Sequence, residues 1–266
     1  MNRRMMMCAV LAGLLFVSAL QAANPALEPL DRKDKWWQDR HAANVAAFEK
    51  GDIELLLIGD SITHGWDSFP DLYQKYFGKY KPVNLGFSGD QTQHVLWRLD
   101  HLPLDKIQPK VAQIMIGTNN IGNTNKTGEL RGSSPQEAAE GILAIVKKLQ
   151  KQYPKLQIIV LQVFPRDEKP DDERRKKVEA INTELPALLK GLKNVELVDI
   201  NAGFLDKDGT LPKSIMPDFL HPNKDGDDYW GKAVQPIIET KYNQYDKSEK
   251  KPRRTNRPNR LRSLFR

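Results

Sequence analysis

Five short apolar runs punctuate the chain, at residues 53–58, 83–87, 111–116, 158–164 and 195–200. Each is rich in β-branched residues and too short for a helix, so each reads as a strand buried on both faces. Between them, residues 67–77, 91–99, 135–153 and 172–192 place apolar side chains at helical spacing, and a last helix is expected over 224–242. Ser134-Pro135-Gln136-Glu137 carries a helix start, with Ser134 as cap and Pro135 at the first helical position. Strands alternating with helices of this length form right-handed βαβ units on a parallel sheet. The pattern predicts one α/β domain without internal repeat, its central sheet of about five strands covered by helices on both faces. In the lead-in over 36–50, Trp37, His41, Asn44, Val45 and Phe48 share a helical face. That stretch is expected to pack across the sheet edge, with His41 structural rather than catalytic.

The two ends depart from this pattern. Arg3 and Arg4 precede an apolar run from Met5 to Leu20, which ends in Gln21-Ala22-Ala23. A basic start, an apolar middle and a small-residue end make residues 1–22 a signal peptide cleaved after Ala22, and the run falls short of the roughly 20 residues of a spanning helix. The single cysteine, Cys8, lies inside it, too early for a lipoprotein acceptor. A mature chain without cysteine excludes a disulfide framework and a cysteine metal site. The expected location is therefore the periplasm or outside a bacterial cell, with residues 23–245 as the folded domain.

Charge is divided unevenly. The chain carries +7 overall, but residues 1–22 hold +2 and residues 246–266 hold +7, which leaves −2 for the rest. The basic balance thus says nothing about the partners of the domain, and no specific nucleic acid is implied. Residues 246–266, with two prolines and few apolar positions, read as a disordered tail. Two readings of it stay open, a solvated tail without a partner and an electrostatic tether to an anionic surface or polyanion, with Leu261, Leu264 and Phe265 able to insert once held.

In open parallel sheets ligands bind beyond the carboxyl ends of the strands. Here those ends carry Gly59-Asp60-Ser61, then Ser88-Gly89-Asp90-Gln91-Thr92, then Gly117-Thr118-Asn119-Asn120. A serine hydroxyl needs a base to take its proton and an acid to orient that base. Asp218-Phe219-Leu220-His221 supplies both, so Ser61 is the expected nucleophile, His221 the base and Asp218 its orienting acid. His64 stands too near Ser61 in the chain to turn onto it, and His94 lies on a helix, so neither is expected to serve. The N–H of Ser61, the N–H of Gly89 and the side-chain amide of Asn119 are the expected oxyanion donors. Asp206-Lys207-Asp208-Gly209 and Asp225-Gly226-Asp227-Asp228 look like calcium-loop fragments, but the glycine is misplaced and no closing Glu follows at the right distance. Both are expected to be turns, and neither a metal nor a cofactor is required.

These blocks, in this order, resemble those of the SGNH, or GDSL-type, hydrolases. The longer match over roughly 33–240 takes in Asn84 to Gly86, His94-Val95-Leu96-Trp97-Arg98-Leu99, and Pro165 to Pro170. It is similar to the catalytic subunit (beta/gamma) family of platelet-activating-factor acetylhydrolase. The resemblance implies a flavodoxin-like α/β/α sandwich, the same triad and oxyanion donors, and leaves a homodimer open. Residues 122–134 form a longer segment than in that family and are expected to reshape the substrate mouth. Ile62 and Leu220, beside the triad, are the expected substrate-binding residues and point to a short acyl group. The expected function is hydrolysis of a small-molecule ester of a carbohydrate or small lipid through an acyl-enzyme on Ser61. A long-chain lipase or lysophospholipase, and a non-catalytic surface-binding protein of the same fold, are the alternatives.

Overall fold

The computed structural model describes residues 23–124 and 130–250. The expected signal peptide and residues 251–266 of the tail lie outside them. In chain order the elements are α1 (Lys35–Glu49), β1 (Leu55–Gly59), α2 (Ser61–His64), α3 (Pro70–Phe77), β2 (Pro82–Gly86), α4 (Thr92–Asp100), β3 (Val111–Met115), β4 (Asn123–Thr124), β5 (Leu130–Arg131), α5 (Pro135–Gln152), β6 (Gln157–Leu161), α6 (Glu173–Leu189), β7 (Val195–Val198) and α7 (Lys224–Lys250).

The main sheet is parallel, in the order β2-β1-β3-β6-β7, the flavodoxin-like winding that places a switch point beside β1. Its strands feed two cores. Leu56, Ile58, Ala112, Ile114, Ile158 and Val160 face α4, α5 and α6 on one side. Leu55, Leu57, Val111, Met115, Ile159 and Leu161 face α3 and α7 on the other. Successive residues point to opposite faces and both faces are covered, which is why the runs are apolar throughout rather than alternating. Fully burying each such aliphatic side chain contributes roughly 1.5–3 kcal/mol.

Local signals set the helix ends. Ser134 Oγ accepts from the Glu137 N–H at 3.2 Å, and the Glu137 carboxylate accepts from the Ser134 N–H at 2.7 Å, so the expected start of α5 is a full capping box. The helix expected over 67–77 is broken. A 3-10 turn spans Gly65–Ser68 and α3 begins only at Pro70, whose ring has no N–H to continue a preceding turn. Two elements were not expected from periodicity, the single turn α2 and the antiparallel β4–β5 pair within the longer segment. A third difference concerns the tail. Helix α7 continues to Lys250, and Asp246 and Glu249 make ion pairs with Lys110 and Lys155, so residues 246–250 belong to the folded unit. Asp225 to Asp228 likewise form the first turn of α7 rather than a loop, because Asn223 caps the N–H groups of Asp225 and Gly226.

Candidate active site

The carboxyl ends of β1, β2 and β3 are level, with Gly59 opposite both Gly86 and Met115. Helix α2 lies close across them. A Cβ on Gly86 would stand 2.2 Å from the backbone N of His64, so only glycine admits the contact. Asp60 caps α2, its Oδ1 accepting from the Ile62 N–H at 2.9 Å. That carboxyl is fully buried, and burial pushes its pKa up to about 7. Ser61 is thereby held at the first helical position, facing the strand ends.

The second fragment arrives from 160 residues away. Phe219 takes a left-handed conformation (φ +57°), unusual for a bulky residue. The local fold explains it, because Asp218 Oδ1 accepts from the N–H groups of both Leu220 (3.1 Å) and His221 (2.8 Å). The Asp167 N–H bonds the Phe219 carbonyl at 2.8 Å and ties this turn to the loop after β6. Asp218 Oδ2 then lies 2.6 Å from His221 Nδ1, and His221 Nε2 lies 2.8 Å from Ser61 Oγ. A carboxylate can only accept, so Nδ1 holds the proton and Nε2 offers its lone pair to the serine hydroxyl. Burial raises the Asp218 carboxyl, but the hydrogen bonds from the His221 side chain and backbone outweigh it and hold the group below the usual carboxylate range.

Gly89, in the loop after β2, has φ +79°, a conformation that glycine adopts without strain. Among the described residues nothing accepts from the N–H of Ser61 or Gly89. Asn119 Nδ2 donates to the Asp90 carbonyl at 3.0 Å, and its second hydrogen stays free.

Several site residues carry no sequence signal of their role. Asp90 is fully buried and accepts from Trp37 Nε1 (2.7 Å) and Arg98 Nε (2.9 Å), which fixes the Gly89 loop from beneath. Buried Arg166 donates to the carbonyl (3.0 Å) and hydroxyl (3.1 Å) of Thr118, next to Asn119. A charge pattern alone does not separate such residues from surface Asp and Arg; only an Asp directly after a strand-end glycine could have drawn attention.

Ser61 and His221 open onto a cleft of about 360 Å³, which Ile62, Phe69 and Pro222 also line. Leu220 does not belong to this wall. It packs against the core on the α3 and α7 side and is not among the residues that line the cleft, a correction to the expected substrate-binding pair. His64 bonds Ser88 rather than Ser61, the N–H of Gln91 donates to His94 Nδ1, and buried His41 stacks near Trp37 and Trp97. Among the described residues no group of three or more His, Cys, Asp or Glu is placed to hold a metal ion.

A hydroxyl, imidazole and carboxylate in line at the strand ends of an α/β/α sandwich define the class of serine-type acyl hydrolases. The chain belongs to the GDSL-like lipase/acylhydrolase family, whose model matches residues 57–229, and it is an ester hydrolase of that kind. It is 36% identical over 203 residues to the platelet-activating factor acetylhydrolase IB subunit alpha2 of Gallus gallus, covering 75% of this chain and 83% of that one. With the Homo sapiens alpha2 subunit the identity is 34% over 221 residues, 82% of this chain and 90% of the relative. Among solved structures, a putative acylhydrolase from Bacteroides fragilis aligns with a TM-score of 0.63 at 20% identity, over 79% of this chain and all of that one. An acetylxylan esterase from Geobacillus stearothermophilus aligns with a TM-score of 0.56 at 19% identity, over 71% and 94%. These two likenesses speak to the fold.

Proposed function

We propose that this protein is an exported esterase that removes a short acyl group, of acetyl size, from a carbohydrate or small lipid ester through an acyl-enzyme on Ser61. The observation that carries the reading is the unbroken chain from Asp218 Oδ2 through His221 to Ser61 Oγ, with bonds of 2.6 and 2.8 Å. His221 takes the Ser61 proton as Oγ attacks the ester carbonyl. The N–H groups of Ser61 and Gly89 and the amide of Asn119 hold the oxygen that becomes negative. The imidazolium then protonates the departing alcohol, and a water activated by the same imidazole releases the acid.

The cleft supports a small acyl group. At about 360 Å³ it has room for a small ester, whereas a long chain needs an extended apolar groove. The expected signal peptide supports export. Turnover of p-nitrophenyl esters from acetate to octanoate tests the whole reading. Acetate is expected to be fastest, and Ser61→Ala is expected to lose about 10³-fold or more in kcat while remaining folded. A maximum at octanoate would make the protein a long-chain lipase, and full activity in Ser61→Ala would remove the acyl-enzyme.

A further inference from the structure

The cleft contains a second polar chain that acyl transfer at Ser61 does not use. His64 Nδ1 lies 2.9 Å from Ser88 Oγ, and His64 Nε2 lies 3.6 Å from Asp67 Oδ2. His64, Asp67 and Ser88 all line the same cleft as Ser61 and His221. The chain is firmly built. Asp67 accepts from Asn84 Nδ2 and from Arg40 Nη1, both at 2.7 Å. The Ser88 carbonyl accepts from Arg32 Nη1 at 2.6 Å. The imidazole of His64 lies within 13° of parallel to the Trp36 ring, with centroids 6.1 Å apart.

This trio has the composition of a triad but not its geometry, since 3.6 Å between imidazole and carboxylate is longer than a hydrogen bond. Its chemistry is that of a fixed acceptor. Burial first, and then Arg40, hold the His64 pKa below its ordinary value, so the ring is neutral. The Asp67 carboxylate beyond Nε2 favours the ring proton on that nitrogen, and in that tautomer Nδ1 accepts from the Ser88 hydroxyl. Ser88 Oγ then donates its hydrogen bond to His64 and keeps lone pairs for a ligand in the cleft. Such an acceptor beside the reacting ester matches ligand groups that donate hydrogen bonds.

We infer that Ser88, His64 and Asp67 form the subsite for the alcohol half of the ester, and that it selects a polyhydroxylated alcohol, a sugar bearing the acyl group beside free hydroxyls. The inference rests on acyl transfer at Ser61. It narrows the substrate class from carbohydrate or small lipid to carbohydrate. Ser88 is a specificity residue in this scheme, and His64 positions it.

The test compares two esters on the full chain, with p-nitrophenyl acetate measured alongside. One is a methyl glucoside monoacetate with its other hydroxyls free; the other is the same acetate with those hydroxyls O-methylated. The wild type is expected to favour the free-hydroxyl ester about tenfold in kcat/KM, the size of a hydrogen bond made to one substrate and lost in the other. Ser88→Ala is expected to bring that ratio close to one, and Ser88→Thr, which keeps the hydroxyl, to retain it. If Ser88→Ala does not fold, as judged by circular dichroism, His64→Gln carries the same test and is expected to lower the ratio. A wild-type ratio near one, or a ratio unmoved by both Ser88→Ala and His64→Gln, overturns the subsite. Absence of p-nitrophenyl acetate turnover by the wild type overturns acyl transfer itself, so the two failures are told apart.

Discussion

Asp90 and Asp218 each hold a basic partner near the strand ends, in opposite surroundings. The Asp90 side chain has no exposure and its partner Arg98 has 1%, whereas Asp218 and His221 are 56% and 41% exposed. The difference follows from what each pair must do. An imidazole that gains and loses a proton in every cycle needs water and substrate beside it. An ion pair that holds a loop needs the reverse. Buried, it has no competing water, and Trp37 at 2.7 Å and Arg32 at 3.4 Å add to the contacts of Asp90 that hold the Gly89 loop. On the proposed mechanism the exposed pair does the chemistry and the buried pair fixes one of the proposed oxyanion donors.

The sharpest way to break this comparison is Asp218→Asn. Turnover of p-nitrophenyl acetate is expected to fall on the order of 10³- to 10⁴-fold, as when a triad carboxylate is lost. The unfolding free energy is expected to move by about 1 kcal/mol or less, because the Asn amide oxygen can keep the two backbone hydrogen bonds of the turn. A large loss of stability with activity kept would reverse the assignment of the two pairs. Asp90→Asn should do the opposite in urea melts, with a cost of about 3–5 kcal/mol because Arg98 keeps its charge without a partner. Its activity should fall only through the displaced loop. The double variant Asp90→Asn with Arg98→Met is expected to cost less than the sum of the singles, which double-mutant analysis of the melts reads directly.

A third carboxylate separates burial from pairing. Asp227 is 1% exposed and neither of its oxygens has a partner among the described residues. Burial pushes its pKa up to about 8, above an unfolded value of about 3.9. The protonated form is the one that the fold favours. Its stability contribution is complete below about pH 4 and is lost as pH rises through about 8. Asp227→Asn is therefore expected to flatten the fall in Tm between pH 5 and 9, with its advantage over the wild type growing towards pH 9. Parallel Tm curves for the two proteins would show that Asp227 does not titrate in this window.

The fold was largely legible because its two periodicities are local. Apolar runs of five to seven residues marked all five strands of the main sheet, to within a few residues at their ends, and helical spacing marked α1, α4, α5 and α6. Helix α3 started late because Pro70 interrupts a periodic stretch, a local signal given too little weight beside the spacing. Helix α7 ran past 245 because Lys110 and Lys155 draw its last turns against the domain, a tertiary effect. At the site, residue types were enough to single out Ser61, Asp218 and His221, which the fold brings into one hydrogen-bonded line. Leu220 was misplaced because adjacency in sequence says nothing about direction after a left-handed residue.

By itself, then, the sequence determined the order of elements, the parallel winding and the chemical inventory at three strand ends. Tertiary structure alone decided that His64 turns to Ser88, and that Asp90, Arg98 and Arg166 lie beneath the loops after β2 and β3. The physical reason is range. Backbone periodicity and turn chemistry act within a few residues, whereas a hydrogen bond between residues 61 and 221, or a charge removed from water, depends on which surfaces the finished sheet brings together.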